Sequence, residues 1–270
     1  MNRDAETEFD RQVGVLLDRG YPALAGITEP EFAAVVEPLR DLVRTEVPVL
    51  DGRGTTSRVP FVVVTPPAAI RAEDLVPTLS LVDGGQAGIL DRNHGEAGLA
   101  PYRPLPWLGV PDSGAYLLLD VERGEEFCGV RPEDALPVVR GRGRSPLTVH
   151  EGIALVTAFP AVLERNRCFM LAGSRRGDRR VPALWISGRA PKLGWCWDGN
   201  PHSWLGTAST ARRVSAQPGG HGDGGAEGVG SGAAGPVPVG AEWSPGRRGP
   251  GDTVSPGPRR HPGGLRPGSA

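Results

Sequence analysis

The change of composition after about Arg212 is the feature that most limits what this chain can fold into. Residues 213–270 contain 17 glycines and 9 prolines but few large apolar side chains. Such a segment buries too little apolar surface to offset the conformational entropy lost on ordering it. The sequence therefore predicts one globular domain over residues 1–212 and a disordered Gly/Pro/Arg-rich tail over residues 213–270. A reading frame shifted near Ala211–Ser215 would also give this composition, so the tail is either native or frame-shifted.

Charge and cysteine content narrow the class of protein. The formal net charge is −1, which gives no overall field to attract nucleic acid or an anionic membrane, so neither partner is expected. Residues 1–6 lack the basic and apolar pattern of a secretory signal, and no apolar stretch approaches the ~18 residues of a membrane span. Three widely spaced cysteines (Cys128, Cys168 and Cys196) form no disulfide framework. We expect a cytoplasmic protein without a cofactor.

The basic residues have an unusual composition. Of the 30 lysines and arginines, only Lys192 is a lysine, and alanine, glycine and proline are abundant. All four favoured residue types have GC-rich codons, which indicates a GC-rich and bacterial genome. Much of the arginine content therefore reflects codon supply rather than a need for guanidinium chemistry.

The first half of the chain contains clear helix signals. An apolar stripe predicts an amphipathic helix over Asp4–Arg19. A capping box at Thr28–Glu31 opens a second helix, which Pro38 should kink or split. Leu75–Val82 is either a strand or a short helix, and the Gly- and Pro-rich segment Asp83–Leu108 is interpreted as a long loop.

The second half mixes helices with strands. Pro132–Val139 fits a short helix with proline in its first turn, and a capping box at Thr148 opens another helix to about Ala158. Short apolar runs rich in strand-forming residues predict buried strands at Phe61–Thr65, Tyr116–Val121, Cys168–Ala172, Ala183–Ser187 and Leu193–Trp197. This order predicts an α+β fold with N-terminal helices packed on a mostly antiparallel sheet.

Several motifs carry a resemblance to a known family. They are Phe9-Asp10-Arg11-Gln12 with Gly20-Tyr21-Pro22, Tyr116–Val121, Gly124–Phe127, Pro146–Thr148 with Glu151-Gly152, Ala172–Arg175, Pro182–Ser187, and Pro191–Trp197 with Asn200-Pro201-His202. From Phe9 to about Ser209 the chain resembles an uncharacterised actinobacterial family, a domain of unknown function. The resemblance implies a bacterial cytoplasmic protein and no activity.

The densest candidate site is the segment Lys192–Trp204. It contains the candidate ligand-binding residues Lys192, Trp195, Trp197, Asp198, Asn200 and His202. In a strand, Trp195 and Trp197 share one face and Cys196 points to the other. The tryptophans are either a stacking platform for a planar group or a core cluster at the end of the sheet.

A second candidate is an arginine cluster around Gly177-Asp178. Its members are Arg175, Arg176, Arg179 and Arg180, in a predicted hairpin turn. Four guanidinium groups could clamp a phosphate, although a solvated hairpin tip has the same composition. A second basic segment, Arg140–Arg144, would join the same anion site only if the fold brought the two together.

Catalysis is the alternative to binding. Cys196 as nucleophile with His202 as base would form a cysteine-dependent enzyme, but a thiol flanked by two tryptophans is typically buried and inert. These two residues supply too few ligands for zinc, so no metal site is expected. The function predicted is a non-enzymatic binding or adaptor domain for a small anionic ligand or a protein partner. The alternative is an enzyme that uses Cys196 and His202.

Overall fold

The computed structural model describes residues 3–47, 55–65, 68–111 and 114–216. Most of the predicted tail, from residue 217 onward, lies outside the described residues. The chain begins with four helices, which are α1 (Arg3–Asp18), α2 (Tyr21–Ala25), α3 (Glu29–Val36) and α4 (Leu39–Glu46). The Thr28 hydroxyl accepts a hydrogen bond from the Glu31 amide at the start of α3, and Pro38 separates α3 from α4. Both predictions from the sequence are therefore confirmed.

Three further helices lie between the strands. They are α5 (Ala72–Leu75), α6 (Pro132–Gly141) and α7 (Val149–Ala158). The predicted capping box at Thr148 is present, with Glu151 as its acidic partner. No helix in the described ranges is long and apolar enough to cross a membrane.

Two sheets and one short ribbon complete the fold. The first sheet is antiparallel, and its order is β1 (Arg58–Val64), β4 (Tyr116–Glu122), β11 (Ser209–Ser215) and β5 (Ser145–Pro146). The order of the second is β10 (Leu205–Thr207), β6 (Cys168–Met170), β8 (Arg180–Ser187), β9 (Ala190–Trp197) and β2 (Ile89–Leu90). Only its outer pairs, β10 with β6 and β2 with β9, are parallel among the described residues. The predicted α+β fold with N-terminal helices and mostly antiparallel sheets is confirmed.

Tertiary pairing changes the interpretation of residues 75–108. Leu75–Val82 begins as helix, because α5 continues into a 3-10 turn at Val76–Thr78. The predicted loop Asp83–Leu108 contains β2 and also β3 (Arg103–Pro104), which pairs with β7 (Ser174–Arg175). The partners of these two-residue strands are remote in sequence. Local composition therefore does not reveal them.

Gln12 of α1 closes the open edge of β1. Its side chain is buried, donates to the Phe61 carbonyl at 3.1 Å and accepts from the Val63 amide at 2.9 Å. These are the bonds that a neighbouring strand would make, so the amide satisfies backbone groups that an edge strand leaves unpaired. This contact fixes α1 against the first sheet.

A buried ion pair fixes the last strand to the core. The Arg213 guanidinium of β11 donates two hydrogen bonds to Glu151, at 2.6 Å and 2.8 Å, and both side chains are almost fully buried. Glu151 also accepts from the Tyr116 hydroxyl and from the Thr148 amide. All its oxygens are therefore engaged, as a buried carboxylate requires.

Candidate functional site

The β8–β9 hairpin positions the predicted tryptophans. Its register places Arg180 opposite Trp197 and Pro182 opposite Trp195. Residues opposite one another share a face of the sheet, so the Arg180 side chain contacts both indole rings. Its guanidinium carbon lies 4.6 Å from the Trp195 ring centroid and 5.9 Å from that of Trp197. The indole centroids are 4.9 Å apart, which confirms that the two tryptophans share one face.

The four tryptophans of residues 185–204 form two pairs rather than one platform. Trp185 is opposite Lys192 and belongs to the other face of the hairpin, where it contacts Trp204 at 6.1 Å between centroids. On the first face, Trp195 donates its indole N–H to the Asn93 carbonyl at 3.0 Å. Arg180 lies over its ring. Trp195 is therefore engaged by protein groups on its edge and on one face.

The carboxylates that pair with the arginine cluster are unevenly distributed. Arg175 pairs with Asp198 at 3.2 Å, and Arg179 pairs with Glu133 at 2.9 Å. Arg176 and Arg180 share one partner, Asp178, at 3.4 Å and 3.7 Å. Among the described residues no other carboxylate forms an ion pair with Arg176 or Arg180. These two guanidinium groups are therefore incompletely neutralised.

The pairing of β3 with β7 brings two unpredicted residues, His94 and Tyr102, under the arginines. Arg176 lies over the Tyr102 ring at 5.6 Å and donates to the His94 carbonyl at 3.5 Å. The His94 and Tyr102 rings contact edge to face, with centroids 5.6 Å apart. We call this assembly the arginine–aromatic site; it consists of His94, Tyr102, Arg176, Asp178, Arg180, Trp195 and Trp197.

Unpaired buried polar atoms concentrate in this site. Nine buried side-chain nitrogen and oxygen atoms of the described residues lack a partner in hydrogen-bond geometry. Four of them belong to the site, namely both ring nitrogens of His94, the Tyr102 hydroxyl and Arg180 Nε, and a fifth, Arg175 Nη1, belongs to the separate Arg175–Asp198 pair. Buried polar groups in native proteins are nearly always paired, and the exceptions call for an explanation such as an unseen ligand. His94 and Tyr102 still have looser contacts, with the Leu193 backbone and the Arg176 side chain, so the clearest unused donor in the site is Arg180 Nε.

The environment sets the protonation of the ring groups. Burial lowers the pKa of His94, and the charges of Arg176 and Arg180 add to this effect although Asp91 opposes it. Burial raises the pKa of Tyr102 to about 12. At neutral pH His94 is therefore uncharged and Tyr102 carries its proton, so the positive charge of the site comes from the arginines.

The remaining candidates of the segment Lys192–Trp204 have other partners. Lys192 pairs with Asp91 at 2.8 Å and faces Trp185, away from Trp195. Burial disfavours the charged form of Asp91, but the Lys192 and Asn93 hydrogen bonds outweigh it, so the pKa of Asp91 is lowered. Asn200 contributes its backbone amide to a turn, donating to the Trp197 carbonyl.

Cys196 and His202 are engaged separately. Cys196 is buried, with its sulfur 3.3 Å from the Met170 sulfur, and burial raises the pKa of its thiol to about 12. The His202 ring packs against Trp204 at 5.6 Å, and burial lowers the pKa of His202. No hydrogen bond between Cys196 and His202 occurs in the described structure, and no group of its acidic, histidine and cysteine residues could hold a metal ion.

Cys196 is expected to resist alkylation in the native protein, because a thiol with a raised pKa and little exposure supplies almost no accessible thiolate. Iodoacetamide near neutral pH, followed by peptide mass spectrometry, should label the half-buried Cys128 first and Cys196 only after denaturant is added. A Cys128→Ser variant isolates the slow reaction. Fast stoichiometric labelling of native Cys196 would contradict this account and favour the nucleophile interpretation.

The second basic segment does not share these partners. Arg140 lies over Trp107, Arg142 pairs with Glu126, and Arg144 bonds to Asp120 and Ser209. None of the ion pairs of the described residues links this segment to the arginine–aromatic site. The two clusters therefore do not act as one clamp.

Two clefts border the described surface. An open groove of about 480 Å³ is lined by Arg11, Arg19 and Phe159, among others. A narrower cleft of about 170 Å³ is lined by Tyr102, His150 and Ser174 with apolar neighbours. The narrower cleft adjoins the arginine–aromatic site, because Tyr102 belongs to both.

Comparison with known families confirms that the chain resembles an uncharacterised one. The model of DUF5701, a family of unknown function, matches residues 15–216. The chain belongs to this family. The match ends one residue beyond β11 and includes the whole arginine–aromatic site of this DUF5701 protein. No curated protein and no solved structure matches the chain.

Proposed function

We propose that this DUF5701 protein is a non-enzymatic binding domain for a small anionic ligand, held by Arg176 and Arg180. The observation that carries the proposal is that these two guanidinium groups share a single carboxylate. Arg176 contacts Tyr102 and His94, whose side-chain polar atoms lack partners in good hydrogen-bond geometry. A bound oxyanion would supply both the missing negative charge and the missing acceptors.

Binding is favoured over cysteine chemistry by the state of Cys196. Its thiol is protonated at neutral pH and lies against Met170 rather than a base. A nucleophilic cysteine requires a lowered pKa and access to substrate. The arginine–aromatic site, by contrast, has the planar donors and partial exposure that suit anion recognition.

The binding test is a titration of the full chain with potassium phosphate against potassium chloride at equal ionic strength. Nitrogen–proton NMR spectra follow the Arg Nε–H signals and the Trp195 indole signal. We expect saturable shifts with phosphate alone. Arg176→Lys and Arg180→Lys should each weaken binding about tenfold, because lysine keeps the charge but loses the planar fork.

Arg165 provides the matched control. It is an exposed arginine in the turn before β6, away from the site. Arg165→Lys should leave the phosphate titration unchanged. Equal, unsaturable responses to phosphate and chloride in the wild type would contradict the proposed function and turn attention to a protein partner.

We extend the proposal to the domain boundaries, the cellular location and the bacterial origin of the protein. A cytoplasmic, actinobacterial protein with one globular domain and a Gly/Pro/Arg-rich tail agrees with the composition. The domain continues past the predicted boundary at residue 212, because Arg213–Ser215 belong to β11. The buried Arg213 pair and the strand pairing of Ser215 support placing any loss of frame after Ser215. Resequencing the gene tests this, since an intact frame through the tail would remove the frame-shift hypothesis.

A further inference from the structure

Asp178 lies between the two arginines of the proposed anion site. One of its carboxylate oxygens, Oδ2, is 3.4 Å from Arg176 Nε and 3.7 Å from Arg180 Nε. The other, Oδ1, accepts the Arg180 backbone N–H at 2.9 Å. A single carboxylate oxygen therefore faces both guanidinium groups, while the second is used by the turn.

These contacts are loose for arginine–carboxylate pairs. In this protein, Arg131 with Asp134 and Arg71 with Asp74 are separated by 2.7 Å and 2.8 Å, within hydrogen-bond distance. The Asp178 contacts are 3.4 Å and 3.7 Å, and its side chain is 41% exposed. The backbone bond holds Asp178 where it cannot approach either guanidinium closely. Its charge is present, but its hydrogen bonds to the arginine side chains are not made.

The donors that Asp178 fails to satisfy are still available. Arg180 Nε is buried and has no partner in hydrogen-bond geometry. Arg176 donates to the His94 carbonyl only at 3.5 Å, the long limit of a hydrogen bond. An untethered oxyanion could approach both groups to ordinary hydrogen-bond distances of about 2.8 Å, which Asp178 does not reach.

We propose that Asp178 is a tethered competitor for a small oxyanion, a phosphate or carboxylate group, whose oxygens replace it between Arg176 and Arg180. The proposal rests on the proposed function and adds to it a ligand chemistry and a restraint on affinity. Displacing Asp178 moves a partly exposed side chain and breaks the bond between its Oδ1 and the Arg180 backbone N–H, so the bound oxyanion must also offset that loss. Recognition depends on the oxyanion rather than on ring stacking, because Arg180 already lies over Trp195.

The experiment compares phosphate affinity in the wild type and in Asp178→Asn, with the full chain and the same NMR titration. Asparagine keeps an oxygen for the Arg180 backbone N–H but removes the competing charge. We expect Asp178→Asn to bind phosphate about tenfold more tightly, because a like charge beside the bound anion is removed. Acetate in place of phosphate tests whether a carboxylate suffices.

Glu133→Gln is the control for the general effect of removing one negative charge near the site. Glu133 lies in α6 and pairs with Arg179, which directly follows Asp178 in the chain. Glu133 makes no ion pair with Arg176 or Arg180 in the described structure. An increase in phosphate affinity that is confined to Asp178→Asn supports the proposal that Asp178 competes with the oxyanion. Equal affinities for the wild type and Asp178→Asn, or equal gains in both variants, overturn it while the proposed function stands. Absence of phosphate binding in every variant overturns both.

Discussion

Replacing Glu151 with glutamine is expected to lower the free energy of unfolding by about 3–5 kcal/mol, because it leaves the buried Arg213 guanidinium without its counter-charge. Glu151 and Arg213 are 0% and 4% exposed, so water cannot compensate. Urea denaturation near neutral pH, followed by circular dichroism, measures the difference as a shift of the midpoint.

Glu31 provides a matched control, because it occupies the same capping-box position on the exposed helix α3. Glu31→Gln should cost no more than about 1 kcal/mol. The double variant Glu151→Gln/Arg213→Met should recover part of the loss, since it removes the unpaired charge. Equal costs for Glu151→Gln and Glu31→Gln would show that the buried ion pair contributes nothing beyond the cap.

Gly124→Ala is expected to destabilise the domain by about 2–5 kcal/mol, which combines left-handed backbone strain with a steric overlap. Gly124 has φ of 73°, and an added Cβ would meet the Thr207 backbone carbonyl. Gly124 also accepts a hydrogen bond from the Thr207 amide, so the two backbones cannot simply separate. Thermal and urea unfolding of the variant measure the loss.

Two other glycines separate the strain from the overlap. Gly129 has φ of 84° but open space around it, so Gly129→Ala should cost only about 1–2 kcal/mol. Gly206 has no positive φ but approaches the Gly124 carbonyl. The loss of stability in Gly206→Ala should therefore measure the cost of the steric overlap without backbone strain. A Gly124→Ala protein as stable as Gly129→Ala would contradict the close approach of the two backbones.

Local signals in the sequence predicted much of the fold. Capping boxes at Thr28 and Thr148, and the break at Pro38, mark helix ends through bonds and sterics that act within a few residues. The shared face of Trp195 and Trp197 followed from strand alternation. In each case the physical cause and the sequence pattern occupy the same short segment.

The rest of the site depends on contacts between distant segments. His94 and Tyr102 lie in a Gly- and Pro-rich stretch without periodicity, and they reach the arginines only because β3 pairs with β7. Glu151 and Arg213 are 62 residues apart. Sequence patterns also do not distinguish among the four arginines of residues 175–180, whereas the fold supplies Arg175 and Arg179 with their own carboxylates.

The proposal of an anionic ligand rests on two incompletely neutralised arginines, Arg176 and Arg180, rather than on the net charge of the chain. The chain as a whole has a net charge of −1, and most of its described arginines are paired with acids. A GC-rich genome would account for the abundance of arginine, but it would not account for two arginines that share one loosely held carboxylate beside a buried unpaired donor. That arrangement is what distinguishes the arginine–aromatic site from an ordinary charged surface.

The most direct test is a crystal structure of the protein grown in chloride and then soaked with tungstate, a heavy tetrahedral oxyanion located by its anomalous signal. The account predicts an anomalous peak whose oxygens lie about 3 Å from Arg176 Nε and Arg180 Nε, with Asp178 displaced. An unoccupied site, with tungstate bound only at exposed arginines elsewhere, would contradict the anion-binding function.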